Sequence, residues 1–266
     1  MFGVAATRLV VVLVGLSTGV MVCGGGVARA ASPPTASADG VHAILLDAYT
    51  ECGVFNAWAD LNTEWSNYGS VPVSITSSGH ICDGTFTLAD LEASGADTVI
   101  LDTTAYNHTL SPDQIQALQT YVEQGHTLLG TDTVFQWKTK NNDNGLAPLF
   151  GLAEQPTWYI DGLAGKSPKY KLQEQDPDAA VLLRDVANPY LSSLYGRGQR
   201  PADKKWDAHV LDGARYIARN HNQGNAITVY DAPTYPAIYI SSQAAFMSTP
   251  DDMQFLYNAI VYPNAG

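Results

Sequence analysis

Residues 110–133 (LSPDQIQALQTYVEQGHTLLGTDT) constrain the fold of this chain more than any other stretch. Ser111 and Gln114 have the spacing of a helix capping box, and Pro112 suits the first helical position, where no amide hydrogen is needed. Four apolar residues then recur on one helical face: Ile115, Leu118, Tyr121 and Val122. Gly125 follows the last of them and suits a left-handed helix end. This part of the stretch therefore predicts an amphipathic helix.

The same stretch continues into a buried strand. Leu128-Leu129 is apolar and too short for a helix, and Asp132 follows it closely. An identical order precedes it along the chain, with a helix predicted at Thr87–Ala93, a strand at Thr98–Leu101, and then Asp102. Helices that alternate with short apolar strands are typical of a parallel sheet. The predicted fold class is therefore α/β, with an open, mostly parallel, flavodoxin-like sheet and helices on both faces.

The remaining elements extend this pattern in both directions. Further strands are predicted at Val41–Leu46, Val71–Ile75, Ala226–Tyr230 and Ala237–Ser241, and further helices at Val54–Tyr68, Asp178–Val186 and after the capping residue Thr249. The two last strands flank a proline-containing turn and predict a C-terminal hairpin. Residues 138–225 are less regular, and we interpret them as an insertion or lid beside the sheet.

The N-terminal segment predicts secretion. Residues 1–31 contain Arg8, an apolar core and the small-x-small sequence Ala28-Arg29-Ala30, which favours a signal peptide cleaved near Ala30 or Ala31. A permanent membrane anchor and a lipoprotein signal at Cys23 are the alternatives. Residues 32–40 predict a flexible linker, and residues 41–266 a single α/β domain.

Charge narrows the classes of partner. After cleavage the chain would keep 12 of its 14 basic residues and all 26 acidic ones, a net charge of −14. Such acidity argues against nucleic acid and against anionic lipid as partners. We predict a secreted protein that has no membrane contact after cleavage. The sequence leaves its oligomeric state open.

Two cysteines, Cys52 and Cys82, remain in the mature chain. In an oxidising compartment they are predicted to form a disulfide. Each follows a predicted strand, so neighbouring strands would bring them close together. A catalytic thiol at either position is the alternative.

The order of elements resembles the class I glutamine amidotransferase-like superfamily. The resemblance rests on the helix end YVEQG before Leu128-Leu129, and on AIYISSQAAF before TPDDMQFLYNAIVY. It covers about residues 41–135 and 226–262, and it is closest to the non-amidotransferase, secreted branches such as the ThuA-like domains. Amidotransferases use a cysteine in a glycine-flanked elbow and a later histidine–glutamate pair. The chain has no Gly-x-Cys-x-Gly and no late His-x-Glu, so we expect no glutaminase activity.

Aspartates follow three of the predicted parallel strands. Ligands of open parallel sheets bind beyond the carboxyl ends of the strands, which places a candidate site there. The catalytic candidates are Asp102, Asp132 and His108, and the ligand-binding candidates are Asp47, His80, Tyr106 and Trp137. We predict no cofactor and no resident metal, although carboxylates of this kind are also ligands for a divalent cation. The structural alternative is that these aspartates cap helices or fix loops.

Three functions are consistent with this sequence. The first is binding of a small polar ligand, such as a saccharide, at the strand ends. The second is hydrolysis of a polysaccharide by two of the aspartates as acid and base. The third is a non-catalytic protein-interaction module that uses the insertion as its surface.

Overall fold

A computed structural model describes most of the predicted domain. The described residues are 40–47, 53–54, 56–77, 85–102, 110–131, 134, 136–137, 141–142, 144–153, 169–172, 177–187, 190–192, 210–220, 225–240, 244 and 247–262. The predicted signal peptide and the predicted linker, up to residue 39, lie outside them.

The strands and helices are numbered here in chain order. The strands are β1 Val41–Asp47, β2 Val73–Thr76, β3 Thr98–Asp102, β4 Thr127–Thr131, β5 Gln136–Trp137, β6 Asn141–Asn142, β7 Lys169–Leu172, β8 Tyr190–Ser192, β9 Ala214–Asn220, β10 Asn225–Asp231 and β11 Pro236–Ile240. The α-helices are α1 Asn56–Glu64, α2 Leu88–Ser94, α3 Pro112–Glu123, α4 Pro177–Leu182 and α5 Pro250–Val261. Among the described residues, 3₁₀ segments occupy Trp65–Asn67 and Asn144–Phe150.

Nine of the described strands form one sheet in the order β2-β1-β3-β4-β11-β10-β9-β7-β8. The first five run parallel, and the helices α1, α2 and α3 connect successive parallel strands. The prediction of an open α/β sheet is therefore confirmed. The strand predicted at Val71–Ile75 begins later, at Val73, because the main chain of Val71 bonds with the hydroxyl of Tyr257.

The antiparallel half of the sheet is larger than the sequence predicted. The C-terminal hairpin is present, with β10 and β11 paired antiparallel. Beyond it, β9, β7 and β8 come from residues 138–225 and extend the same sheet. Our interpretation of this segment as a lid beside the sheet was therefore wrong for these strands. Their pattern is too short and polar, as in Lys169-Tyr170-Lys171-Leu172, to distinguish a strand from a loop.

Hydrophobic cores lie on both faces of the sheet, because successive strand residues point to opposite faces. One face is formed by residues such as Leu45, Ile100, Leu129 and Ile238, packed against α1 and α5. The other is formed by residues such as Leu46, Leu101, Leu128 and Tyr239, packed against α2, α3 and the 3₁₀ segment Asn144–Phe150. Helices therefore cover both faces, as predicted.

Capping boxes begin three of the helices. Thr87, Ser111 and Thr249 each accept a hydrogen bond from the amide three residues later, and the side chain of that later residue bonds back to the cap. Gly95 and Gly125, which follow α2 and α3, have positive φ angles of 61° and 107°. These observations confirm the predicted caps at Ser111 and Thr249 and the predicted helix end at Gly125. Within the described residues, no helix combines the length and hydropathy that a bilayer crossing requires.

The last helix is buried almost completely. From Asp252 to Val261 every residue of α5 is buried, including Gln254 and Asn258. The amide of Asn258 donates to the carbonyl oxygens of Leu182 (2.9 Å) and Arg184 (2.8 Å), which accept at the end of α4. Because buried amides need partners, these bonds position α4 against the final helix.

Candidate functional site

The carboxyl ends of three neighbouring parallel strands bring polar residues into one row. Asp47 at the end of β1 is paired in register with Asp102 at the end of β3. Asp102 is paired in turn with Thr131 at the end of β4. Neighbouring strands lie about 4.8 Å apart, so these three backbone positions span only about 10 Å. The sequence prediction that Asp47 and Asp102 share one edge of the sheet is confirmed at the level of the backbone.

Asp102 is completely buried at this edge, with 0% of its surface exposed. Its Oδ2 accepts a 2.6 Å hydrogen bond from the indole Nε1 of Trp58, and its Oδ1 accepts a hydrogen bond from the hydroxyl of Thr131. A carboxylate out of contact with water is costly unless donors replace its solvation. These two donors supply part of that replacement. They connect three elements, α1, β3 and β4, at one point.

Trp58 reaches Asp102 because of its place on the first helix. It is buried together with Ala57 and Leu61 on the face of α1 that packs against the sheet. Ile100 and Leu129 belong to the same core and lie two residues before Asp102 and Thr131. Since strand residues two apart share a face, Asp102 and Thr131 face α1. Trp58 is therefore both a core residue and a donor to Asp102, and the sequence analysis did not predict this bond.

Most of the other predicted site residues fall outside the described part of the chain. Asp132, His108, His80 and Tyr106 lie there, and so do the predicted disulfide partners Cys52 and Cys82. For Trp137 the structure describes only the backbone, which pairs with Asn141 in the small β5–β6 ribbon. Their roles therefore stay predictions.

Sequence reasoning missed the partners of Asp102. Thr131 sits one residue before the predicted candidate Asp132, and only strand register places its hydroxyl beside Asp102. The bond from Trp58 joins residues 44 positions apart. The sequence did contain a signal for Thr131. If residues 98–101 and 127–130 are aligned as neighbouring parallel strands, Thr131 falls opposite Asp102.

The opposite edge of the sheet also carries polar groups, but their contacts are structural. Asp97 accepts a 2.8 Å bond from the amide of His42 and thereby ties the start of β1 to the start of β3. His126 stacks on Tyr121 with 3.9 Å between ring centroids, and burial lowers its pKa below the ordinary value. Within the described residues, no group of three histidine, cysteine or acidic side chains could hold a metal ion.

These features define the fold of the protein. A parallel sheet in the order β2-β1-β3-β4-β11, covered on both faces and continued by an antiparallel hairpin, is the class I glutamine amidotransferase-like fold. The sequence Gly130-Thr131-Asp132-Thr133, which follows Leu129, contains no cysteine.

Solved structures agree with this fold. The chain is similar to a ThuA-like protein from Bacteroides uniformis, with 12% identity, a TM-score of 0.55, and coverage of 90% of this chain and 95% of that one. A ThuA-like protein from Parabacteroides merdae is 10% identical, with a TM-score of 0.50 and coverage of 84% and 90%. A β-galactosidase from Bacillus circulans is 12% identical with a TM-score of 0.50, and there 84% of this chain matches 31% of the enzyme. No protein-family model and no curated protein sequence matches the chain.

Proposed function

We propose that this protein is a secreted binding domain that takes a small polar ligand, in the first instance a saccharide, at the carboxyl ends of β1, β3 and β4. It does so without hydrolysing glutamine. The observation that carries the proposal is the in-register row of Asp47, Asp102 and Thr131 at that edge. Open parallel sheets bind ligands at this edge. Where the chain leaves neighbouring strands for helices on opposite faces of the sheet, a crevice forms beyond the strand ends.

Carboxylates suit a ligand rich in hydroxyl groups. An ionised aspartate accepts hydrogen bonds through two oxygens, and each sugar hydroxyl donates one. The formal net charge of −12 for the whole chain disfavours anionic ligands. Neutral saccharides meet both conditions, so they are the class to test first.

The burial of Asp102 favours binding over hydrolysis. Glycoside hydrolysis uses two carboxyl groups that both reach the scissile bond. Asp102 is fully buried and already accepts bonds from Trp58 and Thr131, so it would have to leave them to act on a ligand. In this proposal, Asp47 and Asp132 contact the ligand, and Asp102 lies beneath it.

Secretion is part of the proposal. It rests on residues 1–31, with their apolar core and the Ala28-Arg29-Ala30 site. Expression in a bacterial host that secretes proteins, followed by intact-mass analysis of the medium, tests it. We expect a chain that begins near Ala31 or Ser32. A full-length chain that stays with the membrane fraction would contradict it and favour the anchor alternative.

A thermal-shift screen tests ligand binding. The purified protein is heated with neutral monosaccharides and oligosaccharides, including galactosides because of the β-galactosidase likeness, and with divalent metals with and without chelator. A ligand of the native state raises the midpoint by mass action. A sugar hit supports the proposal, whereas a shift with metal alone, reversed by chelator, identifies a cation site instead. No shift from any sugar contradicts the proposal and favours an interaction module.

A charge-matched control variant tests whether a sugar that binds does so at this edge of the sheet. Asp212 lies exposed in the turn before β9, at the opposite edge of the sheet. Asp47→Asn and Asp132→Asn should each weaken the sugar's affinity, whereas Asp212→Asn should leave it unchanged. Equal weakening by all three substitutions would show that overall charge, and not this edge, controls binding.

A further inference from the structure

Trp58, Asp102 and Thr131 form a buried hydrogen-bonded trio at the carboxyl ends of β3 and β4. Trp58 donates to one carboxylate oxygen and Thr131 to the other. All three residues are 0% exposed. The trio links the first helix to the ends of β3 and β4, and residue 132 follows Thr131 directly.

We infer that Trp58 and Asp102 are positioning residues, which hold the end of β4 in place for a ligand that Asp102 itself does not touch. This inference rests on the proposed function. It separates Asp102 from the two aspartates proposed to contact the ligand, and it gives Trp58 a role beyond core packing.

The chemistry of the trio supplies a sharp test. In Asp102→Asn, the amide oxygen still accepts from the Trp58 indole. The new amide N–H donates to the Thr131 hydroxyl, which accepts as well as donates. Both contacts therefore survive loss of the charge. In Asp102→Leu, both contacts are lost and the indole N–H and the hydroxyl are left in an apolar environment.

Two narrower variants remove one contact each. Trp58→Phe keeps a large aromatic ring in the core and removes the indole donor. Thr131→Val keeps the shape of the side chain and removes the hydroxyl. Both remain informative if Asp102→Leu does not fold. Trp65→Phe is the matched control, since Trp65 is half-buried against the same core but lies in the 3₁₀ segment after α1.

Amide hydrogen exchange measures how stably the end of β4 is held, and it needs no ligand. We expect Asp102→Asn and Trp65→Phe to exchange like the wild type. Asp102→Leu, Trp58→Phe and Thr131→Val should exchange faster in the peptide that covers β4, and not in the β9–β10 hairpin. Equal acceleration in both regions, or none in β4, would overturn the inference and leave the trio an ordinary part of the core.

The affinity of each variant for a ligand is the second measurement. For a sugar that binds the wild type, Asp102→Asn should bind within about threefold of it, whereas Trp58→Phe and Asp102→Leu should bind about tenfold more weakly or worse. If Asp102→Asn loses binding as completely as Asp102→Leu, the charge of Asp102 acts on the ligand and the inference is overturned. If no sugar binds the wild type, the proposed function fails by itself, and the exchange pattern still decides whether the trio holds the strand end.

Discussion

The hydroxyl of Tyr257 bonds with both main-chain groups of Val71. It accepts from the Val71 amide at 2.9 Å and donates to the Val71 carbonyl at 3.0 Å. A side chain at Gly69 would come within 2.4 Å of this hydroxyl, so glycine is needed there for close approach. Gln254, one turn earlier on α5, donates to the carbonyl of Tyr68 at 2.7 Å. The final helix therefore fixes the chain that leads into β2.

Tyr257→Phe should destabilise the fold. The substitution keeps the ring in the core but leaves the amide and carbonyl of Val71 without this partner, at a cost of about 1–3 kcal/mol. Urea denaturation of the two proteins measures the loss. Tyr68→Phe, in a half-buried tyrosine packed against the same core, is the control and should change the free energy of unfolding by no more than about 0.5 kcal/mol. Equal losses in the two variants would show that the Val71 contacts contribute little.

Gly130→Ala should destabilise the centre of the parallel sheet. A methyl group at this position would lie 2.5 Å from the ring of Phe150, which packs over β4. Such overpacking costs about 1–3 kcal/mol. The double variant Gly130→Ala with Phe150→Leu frees space for the methyl group, so it should lose less than the sum of the two single changes. Simple additivity, measured by thermal unfolding, would contradict this account of the contact.

Stability should fall in mild acid because of His126. Burial lowers the pKa of this histidine in the folded state, although the nearby Asp97 charge opposes the shift. The unfolded chain therefore takes up a proton more readily than the folded one below about pH 6.5. The contribution is fully present above that pH and is lost as the pH falls toward the folded pKa. His126→Gln should show a smaller loss of unfolding free energy between pH 7.5 and pH 5.5 than the wild type. An equal loss in both would assign the acid sensitivity to other groups.

The local structure of the chain was predictable because its signals are local. Ser111 and Gln114 form the capping box that their spacing predicted, and α3 begins at Pro112 as expected. Gly125 has the positive φ angle that its place after the helix required. The hairpin β10–β11 was also predictable, since prolines separate its two apolar runs.

The candidate site was predictable only in part, because its contacts are non-local. Alternating strands and helices placed Asp47 and Asp102 at one edge of the sheet, and their register confirms this. The burial of Asp102 depends on Trp58, which approaches from a helix 44 residues earlier. Strand β7 escaped prediction for the same reason, since its partner β9 lies far along the chain.

The disulfide between Cys52 and Cys82 stays a prediction. Alkylation of the unreduced, denatured protein should modify neither cysteine, and alkylation after reduction should modify both. If the bond is present, reduction should lower stability by about 3–4 kcal/mol, the value expected for a closed loop of this length. Two free thiols in protein purified from an oxidising compartment would contradict the prediction and reopen the alternative of a reactive thiol.

If the end of β1 belongs to a ligand site, as proposed, Asp47→Asn should weaken binding, and a calorimetric titration measures this loss. The titration uses the sugar that gives the largest thermal shift with the wild type, and Asp212→Asn is the matched control. We expect Asp47→Asn to raise Kd by about tenfold or more while the control stays within about twofold. Unchanged affinity in Asp47→Asn, with the protein folded, would contradict a ligand site at this edge of the sheet.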